Sequence, residues 1–211
     1  MTEAIKSRTV NSEPQDPITE RCIVQFYDPL FFPWETISDA VMAMERYNFP
    51  KHPEPVEKLR GIFADPKSSI GVVLDPDAEN PLVGFSVILP AETEYSFPDW
   101  QFPERLTEPA IDLSKAAYVH VTQLAGDHQG HKLVTKLNPM MMQWLLTTEY
   151  DYLERDAATE NDYAAKLVAA YEDQIIKQFI HPSKFGEQMF LRQHLRPLRS
   201  GLERTSIPVL S

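Results

Sequence analysis

The run "AAYVHVTQLAGDHQGHKLVTKL", residues 116 to 137, gathers the side chains of this protein best suited to chemistry. His120 exchanges protons near neutral pH, which makes it the candidate general base, or else a hydrogen-bonded core histidine. Strand alternation predicts that Tyr118, His120 and Thr122 share one face. After the apolar run comes "GDHQGHKL", with glycines at 126 and 130. A loop that runs into a helix offers backbone N–H groups and a helix dipole to an anion. Small residues let a phosphate reach that backbone. A plain helix start with a solvent-facing Lys132 is the other reading.

Other groupings carry less. His120, His128 and His131, with Asp127, match no zinc spacing. Asp75, Asp77 and Glu79 resemble part of a calcium loop but lack its glycine and closing Glu, so a solvated hairpin turn is expected. No metal site is expected. The single cysteine, Cys22 in "RCIVQFY", excludes an internal disulfide and reads as a buried small residue. With 20 Lys and Arg against 31 Asp and Glu, the net charge of -11 excludes a general nucleic-acid binder, which needs clustered cations. It suits a soluble protein and is compatible with an amine substrate.

The elements that must position these groups follow from patterning. A polar leader spans residues 1–17 and a proline-containing tail 197–211, on either side of one domain over 18–196. "RCIVQFYDP" reads as a strand, and "PWETISDAVMAMERYN" as a helix with Ile37, Val41 and Met44, joined by Met42, as its apolar stripe. "EPVEKLRGIFAD" is a second helix. "SIGVVLDPDAENPLVGFSVILP" is a hairpin about a turn of Asp, Pro and Asn. The stretch 91–115 is longer than an ordinary connection and reads as a functional loop, with Tyr95, Phe97, Trp100 and Phe102 available to line an acceptor pocket. Next come the strand with His120 and a helix from "GHKLVTKL" that Pro139 should kink. Met140, Met141, Met142 and Trp144 on it are core or partner surface. The strand "YDYLERDA", a helix over "TENDYAAKLVAAYEDQIIKQF" with Thr159 or Asn161 as cap, and strands near "IIKQFIH" and "EQMFLRQHL" complete the chain. The fold class is α/β, a mixed central sheet with flanking helices, with parallel pairing wherever a helix intervenes. No stretch approaches the roughly 20 apolar residues of a membrane span. The leader lacks the apolar core of a signal peptide, so a cytoplasmic protein is expected.

This succession resembles the GCN5-related N-acetyltransferase (GNAT) family over residues 18–196. "VGFSVILP" is similar to its strand before the variable loop. "YVHVTQLAGDHQGHKLVTKLNPMMMQWLL" looks like its strand, pyrophosphate loop and helix. "YDYLERDAATENDYAAKLVAAY" and "FGEQMFLRQHL" look like its closing elements. The resemblance implies acetyl-coenzyme A as cosubstrate and a small-molecule or peptide amine as acceptor, with a homodimer as one state. It places main-chain groups of Leu124, Gly130, His131 and Lys132 on the coenzyme, with Gln129 orienting the loop. Lys132 falls where the family has glycine and Val134 where it has a small residue, and a Val134 side chain aimed at the ligand would obstruct it. The family's acid, a tyrosine of the later helix, falls near Val168, which leaves Tyr171 as the acid candidate or as aromatic core. A catalytically silent GNAT-fold binding module is the rival reading.

Overall fold

A computed structural model describes residues 16–27, 33–97, 103–160 and 162–198. Most of the expected leader and tail, together with Trp100, Phe102 and Asn161, lies outside them. The leader's end is helical: α1 (Pro17–Arg21) starts on Asp16, whose carboxylate accepts from the Ile18 amide at 2.9 Å.

The other elements are β1 (Ile23–Tyr27), α2 (Trp34–Asn48), α3 (Val56–Ala64), β2 (Ser69–Leu74), β3 (Leu82–Pro90), α4 (Ala91–Tyr95), β4 (Ala116–Leu124), α5 (Val134–Thr147), β5 (Tyr152–Ala158), α6 (Tyr163–Tyr171), β6 (Ile175–Ser183) and β7 (Gly186–His194). They form one seven-stranded sheet in the order β1-β2-β3-β4-β5-β7-β6. Only β4 and β5 pair in parallel. The broader expectation of parallel pairing fails for three physical reasons. Two helices, not one, join β1 to β2 and return the chain antiparallel. The five residues of α4 are too short to carry the chain back along β3. Between β5 and β6, the strand β7 inserts itself.

Helices cover both sheet faces, so β2 and β3 are buried along almost their whole length. On one face Val41 and Leu59 of α2 and α3 meet Ile70 and Val87, all fully buried. Ile37 and Met44 are buried with them and Met42 packs on the edge, which is the expected stripe. On the other face α5 buries Leu137, Met141 and Leu145.

Two helix boundaries differ from expectation. The helix after the loop starts at Val134, later than expected, and runs on through Pro139 to Thr147. Proline in its second turn removes one hydrogen bond near an end that has few to lose. The next helix stops at Tyr171, because a 3₁₀ turn over Glu172–Gln174 leads into the β-branched Ile175 and Ile176.

Candidate active site

The strand β4 carries one residue more than its neighbour. Val121 stands opposite Val87 and Val119 opposite Ile88, so His120 is the extra residue of a β-bulge. A bulge takes an amide out of the ladder and re-aims side chains. Pairing between β4 and β5 also ends here, at Val119 opposite Arg155. Beyond it β4 follows β3 to Leu124, and β5 follows β7 to Ala158. The two strands fork, and a cleft of about 660 Å³ opens at the fork.

The bulge corrects the expected alternation. Tyr118 and His120 face α4, but the Thr122 hydroxyl meets that of Ser86 at 2.9 Å on the opposite face. Ser86 lies between Phe85 and Val87, which point into the α2–α3 core. One inserted residue reverses every side chain beyond it.

His120 Nδ1 lies 2.6 Å from Glu94 Oε2 on α4, and both side chains are more than nine-tenths buried. The ring of Phe97 stands edge-on to His120, at 5.9 Å between centroids. A neutral imidazole that donates from Nδ1 to a carboxylate has its lone pair on Nε2. On the same face Asp156 of β5 accepts from Tyr118 Oη at 2.7 Å and Arg105 Nη2 at 2.6 Å, and faces His181 Nε2 at 3.0 Å. Burial alone would raise the Asp156 carboxyl, yet the His181 and Tyr118 hydrogen bonds and the Arg105 charge hold it below the usual carboxylate range. Burial, followed by the Asp156 and Glu94 charges, pushes the Tyr118 phenol well up, so it stays a neutral donor. Glu94, Arg105, Asp156 and His181 carry no sequence motif. They lie far from His120 along the chain, and only the fold gathers them.

On the α5 side, the loop answers the question of small residues position by position. A Cβ at Gly126 would meet only the outer end of the Tyr47 ring, an exposed side chain that is free to swing aside. Gly130 has φ +82 and open space where a Cβ would stand. Lys132 also adopts a left-handed φ of 56, a conformation natural to glycine that costs other residues on the order of 1 kcal/mol. The backbone shape of a glycine is thus kept without the glycine. Val134 is half-buried and packs against the core around Leu133 and Leu137. No side chain caps the start of α5; a tight turn does so instead, with the Thr135 and Lys136 amides donating to the Lys132 and Leu133 carbonyls at 2.8 and 3.0 Å. Gln129 Nε2 reaches Asn48 Oδ1 at 2.6 Å and the Leu124 carbonyl at 3.3 Å. Asn48 Nδ2 also bonds that carbonyl, at 3.1 Å. The Leu124 oxygen is therefore engaged in fixing the loop. His131 faces Asp16 at 2.7 Å and its carbonyl accepts from Thr19, tying the loop to α1.

Tyr171 lies half-buried between two core clusters, whereas Tyr163, at the start of α6, lines the cleft. The three histidines of the loop region do not converge: His120 turns to Glu94, His131 to Asp16 and His128 to Asp75. Asp75 corrects the expected solvated turn. It is fully buried, bonded by Arg21 at 2.8 and 2.7 Å and by His128 Nε2 at 2.8 Å. Cys22 and Asp75 lie close to His128, but the carboxylate oxygens are already engaged by these cations and by the Asp77 amide. Burial raises the Cys22 thiol, which suits a packed residue.

His128 has a carboxylate 2.8 Å from each ring nitrogen, Asp127 at Nδ1 and Asp75 at Nε2. Burial draws its pKa down, but these two partners outweigh it and raise the pKa above the ordinary value. The stabilisation is complete below the unfolded pKa of about 6.5 and is lost as pH rises through the higher folded value. The melting-temperature gap between wild type and His128→Gln should therefore be widest near the acidic end of the folded range and narrow on alkaline titration. A gap independent of pH would show that His128 is not held as the imidazolium.

No protein-family model matches the chain, and no curated protein matches it significantly. Solved structures do. The NatC complex bound to Gag peptide and CoA contains a chain 13% identical, with a TM-score of 0.55, covering 82% of this chain and 98% of that one. The aminoglycoside acetyltransferase AAC(6')-Ib in complex with coenzyme A is 13% identical with a TM-score of 0.54, over 88% and 99%. The ribosomal-protein-S18-alanine N-acetyltransferase of Escherichia coli is 9% identical with a TM-score of 0.53, over 82% and 94%. The fold is that of the acyl-coenzyme A N-acyltransferases. More particularly, it is the GNAT fold.

Proposed function

We propose that this protein is an acetyl-coenzyme A-dependent N-acetyltransferase acting on a small-molecule or peptide amine. The observation that carries the proposal is the bulged fork of β4, with a buried His120–Glu94 pair on one face and, on the other, the left-handed Gly130 and Lys132 backbone leading into α5. The amides of Gly130, His131, Lys132 and Val134 are the groups to hold the coenzyme diphosphate, with Gln129 fixing the loop. The bulge amide at 119–121 is placed to donate to the thioester carbonyl oxygen as charge develops there. His120 takes the proton of the attacking amine through Nε2, oriented by Glu94. Structures of the same fold that hold coenzyme A or a peptide support this reading over a silent binding module.

The acceptor enters from the side of the α2–α3 connection and the β6–β7 turn. There Phe49 and Phe185 lie 4.7 Å apart and Lys184 reaches Glu54 at 3.2 Å. A cytoplasmic setting and a homodimer belong to the same proposal, and cell fractionation and sedimentation test them. No helix among the described residues is long and apolar enough to cross a membrane.

Acetyl-coenzyme A at about a hundred times its Kd should stabilise the fold by about 2.7 kcal/mol, a rise of roughly 5–10 °C for a chain of this size. Absence of a shift at millimolar ligand would refute coenzyme binding. An amine panel followed by release of coenzyme thiol then identifies the acceptor, and silence across the panel with binding intact would favour the binding module.

A further inference from the structure

Arg155 is a buried charge that lacks an opposite charge. It is 2% exposed. Its Nη2 donates to Gln193 Oε1 at 2.8 Å and lies 3.9 Å from Met142 Sδ. Tyr163 is a further, neutral partner, and Nε has no hydrogen-bond partner. The neighbouring carboxylates are committed elsewhere, Glu154 to Arg192 and Asp156 to Arg105 and His181. Among the described residues no carboxylate pairs with Arg155. Burial lowers its pKa from the ordinary arginine value, yet a guanidinium stays charged in proteins. An unpaired buried cation is strongly unfavourable, and a ligand that brings the anion would relieve it.

Its position identifies that ligand. Arg155 is opposite Val119, at the last β4–β5 pair before the fork and next to the bulge at His120. It lines the cleft, as does Tyr163. Its contact with Met142 places it on the α5 face, the face of the 126–134 loop. The acceptor-side groups Tyr118, His120 and Asp156 lie on the opposite face. A negative charge that forms at the fork on the coenzyme side is the sulfur of the departing thiol.

We infer that Arg155 is the counter-charge for the leaving thiolate, a role that rests on the proposed acetyl transfer. The amine nitrogen bonds to the thioester carbonyl carbon, and the C–S bond breaks with its electron pair on sulfur. The proton from nitrogen passes to His120, and the thiolate is paired by Arg155. The products are the amide, the coenzyme thiolate and a proton on His120, so the step balances without another reactant. No acid is then required at Val168, where the family resemblance would have put a tyrosine.

The full chain is titrated with coenzyme A and, separately, with desulfo-coenzyme A by calorimetry between pH 6 and pH 9, and the ultraviolet absorbance of bound thiolate is followed. Free thiols of this kind ionise near 8.5, and a neighbouring cation lowers that value. Wild type should lower the pKa of the bound thiol by at least one unit and prefer coenzyme A over the desulfo compound by about tenfold or more once it ionises, since one unit is a tenfold preference. Arg155→Met should return the titration to the free value and abolish the preference, while Arg155→Lys keeps part of both. Arg155→Met should also melt higher than wild type without ligand, because a buried charge has been replaced by an apolar side chain. A bound thiol that titrates as the free one in wild type, or a lowered value that survives in Arg155→Met, overturns the inference and leaves coenzyme binding standing. Failure of both compounds to bind overturns the coenzyme reading and this inference with it. Should Arg155→Met fail to fold, the wild-type comparison of the two compounds still decides.

Discussion

His120→Ala should lower kcat by about 10²–10⁴-fold, the usual contribution of a positioned general base, with little change in the affinity for acetyl-coenzyme A. The reason is geometric. His120 is the extra residue of the bulge, so its side chain is aimed at the fork, and Glu94 Oε2 at 2.6 Å from Nδ1 fixes its orientation. The 126–134 loop, proposed to hold the coenzyme, lies on the other face and has no contact to lose. Glu94→Gln keeps the shape but removes the charge that favours the imidazolium formed as the amine is deprotonated. Its loss should fall mainly on kcat and be smaller than that of His120→Ala. The test is the best acceptor of the amine panel, with thiol release as the readout and added imidazole as a rescue of the alanine variant. Full turnover in His120→Ala would remove His120 as the base and leave a water as the proton acceptor.

Glu154→Leu should destabilise the protein by about 3–5 kcal/mol, because it leaves a buried guanidinium without its counter-charge. Glu154 and Arg192 face each other across β5 and β7 at 2.5 Å, and both side chains are at most 1% exposed. Arg192 also donates to the Pro109 carbonyl at 2.9 Å and the Arg105 carbonyl at 2.6 Å, while Tyr95 donates to Glu154. The pair thereby fastens α4 and the 105–109 segment to the sheet, and Arg105 is the residue that reaches Asp156 in the site. Urea unfolding should show the loss as a lower midpoint with an unchanged slope. The double variant Glu154→Leu, Arg192→Met should recover much of it, since no charge is then left buried. A single variant as stable as wild type would mean that water reaches Arg192 and the pair is not buried in solution.

Much of this architecture is legible in the residues. The stripe of Ile37, Val41 and Met44 and the Val- and Ile-rich runs about "DPDAEN" specify their elements through local periodicity, and those elements are present at about the expected places. The loop before α5 was also legible as a loop that runs into a helix start. Its apparent defects were not interpretable from letters alone. Lys132 takes a glycine's conformation and Val134 packs half-buried against the core, facts set by backbone dihedrals and packing.

The sequence by itself determined the succession of strands and helices, the α/β class and the segment in which the His120 strand and the loop before α5 follow one another. These are properties of neighbours along the chain, where hydrophobic period and turn chemistry act. Only the tertiary structure decided the rest. A single inserted residue in β4 turned Thr122 away from Tyr118 and His120, and the end of β4–β5 pairing opened the cleft. Glu94 came to His120 from α4, and Asp156, Arg105 and His181 were brought together from three distant segments. Arg155 was left at the fork without an anion among the described residues. Charge pairing and burial depend on distances in space, which no periodicity in the chain encodes.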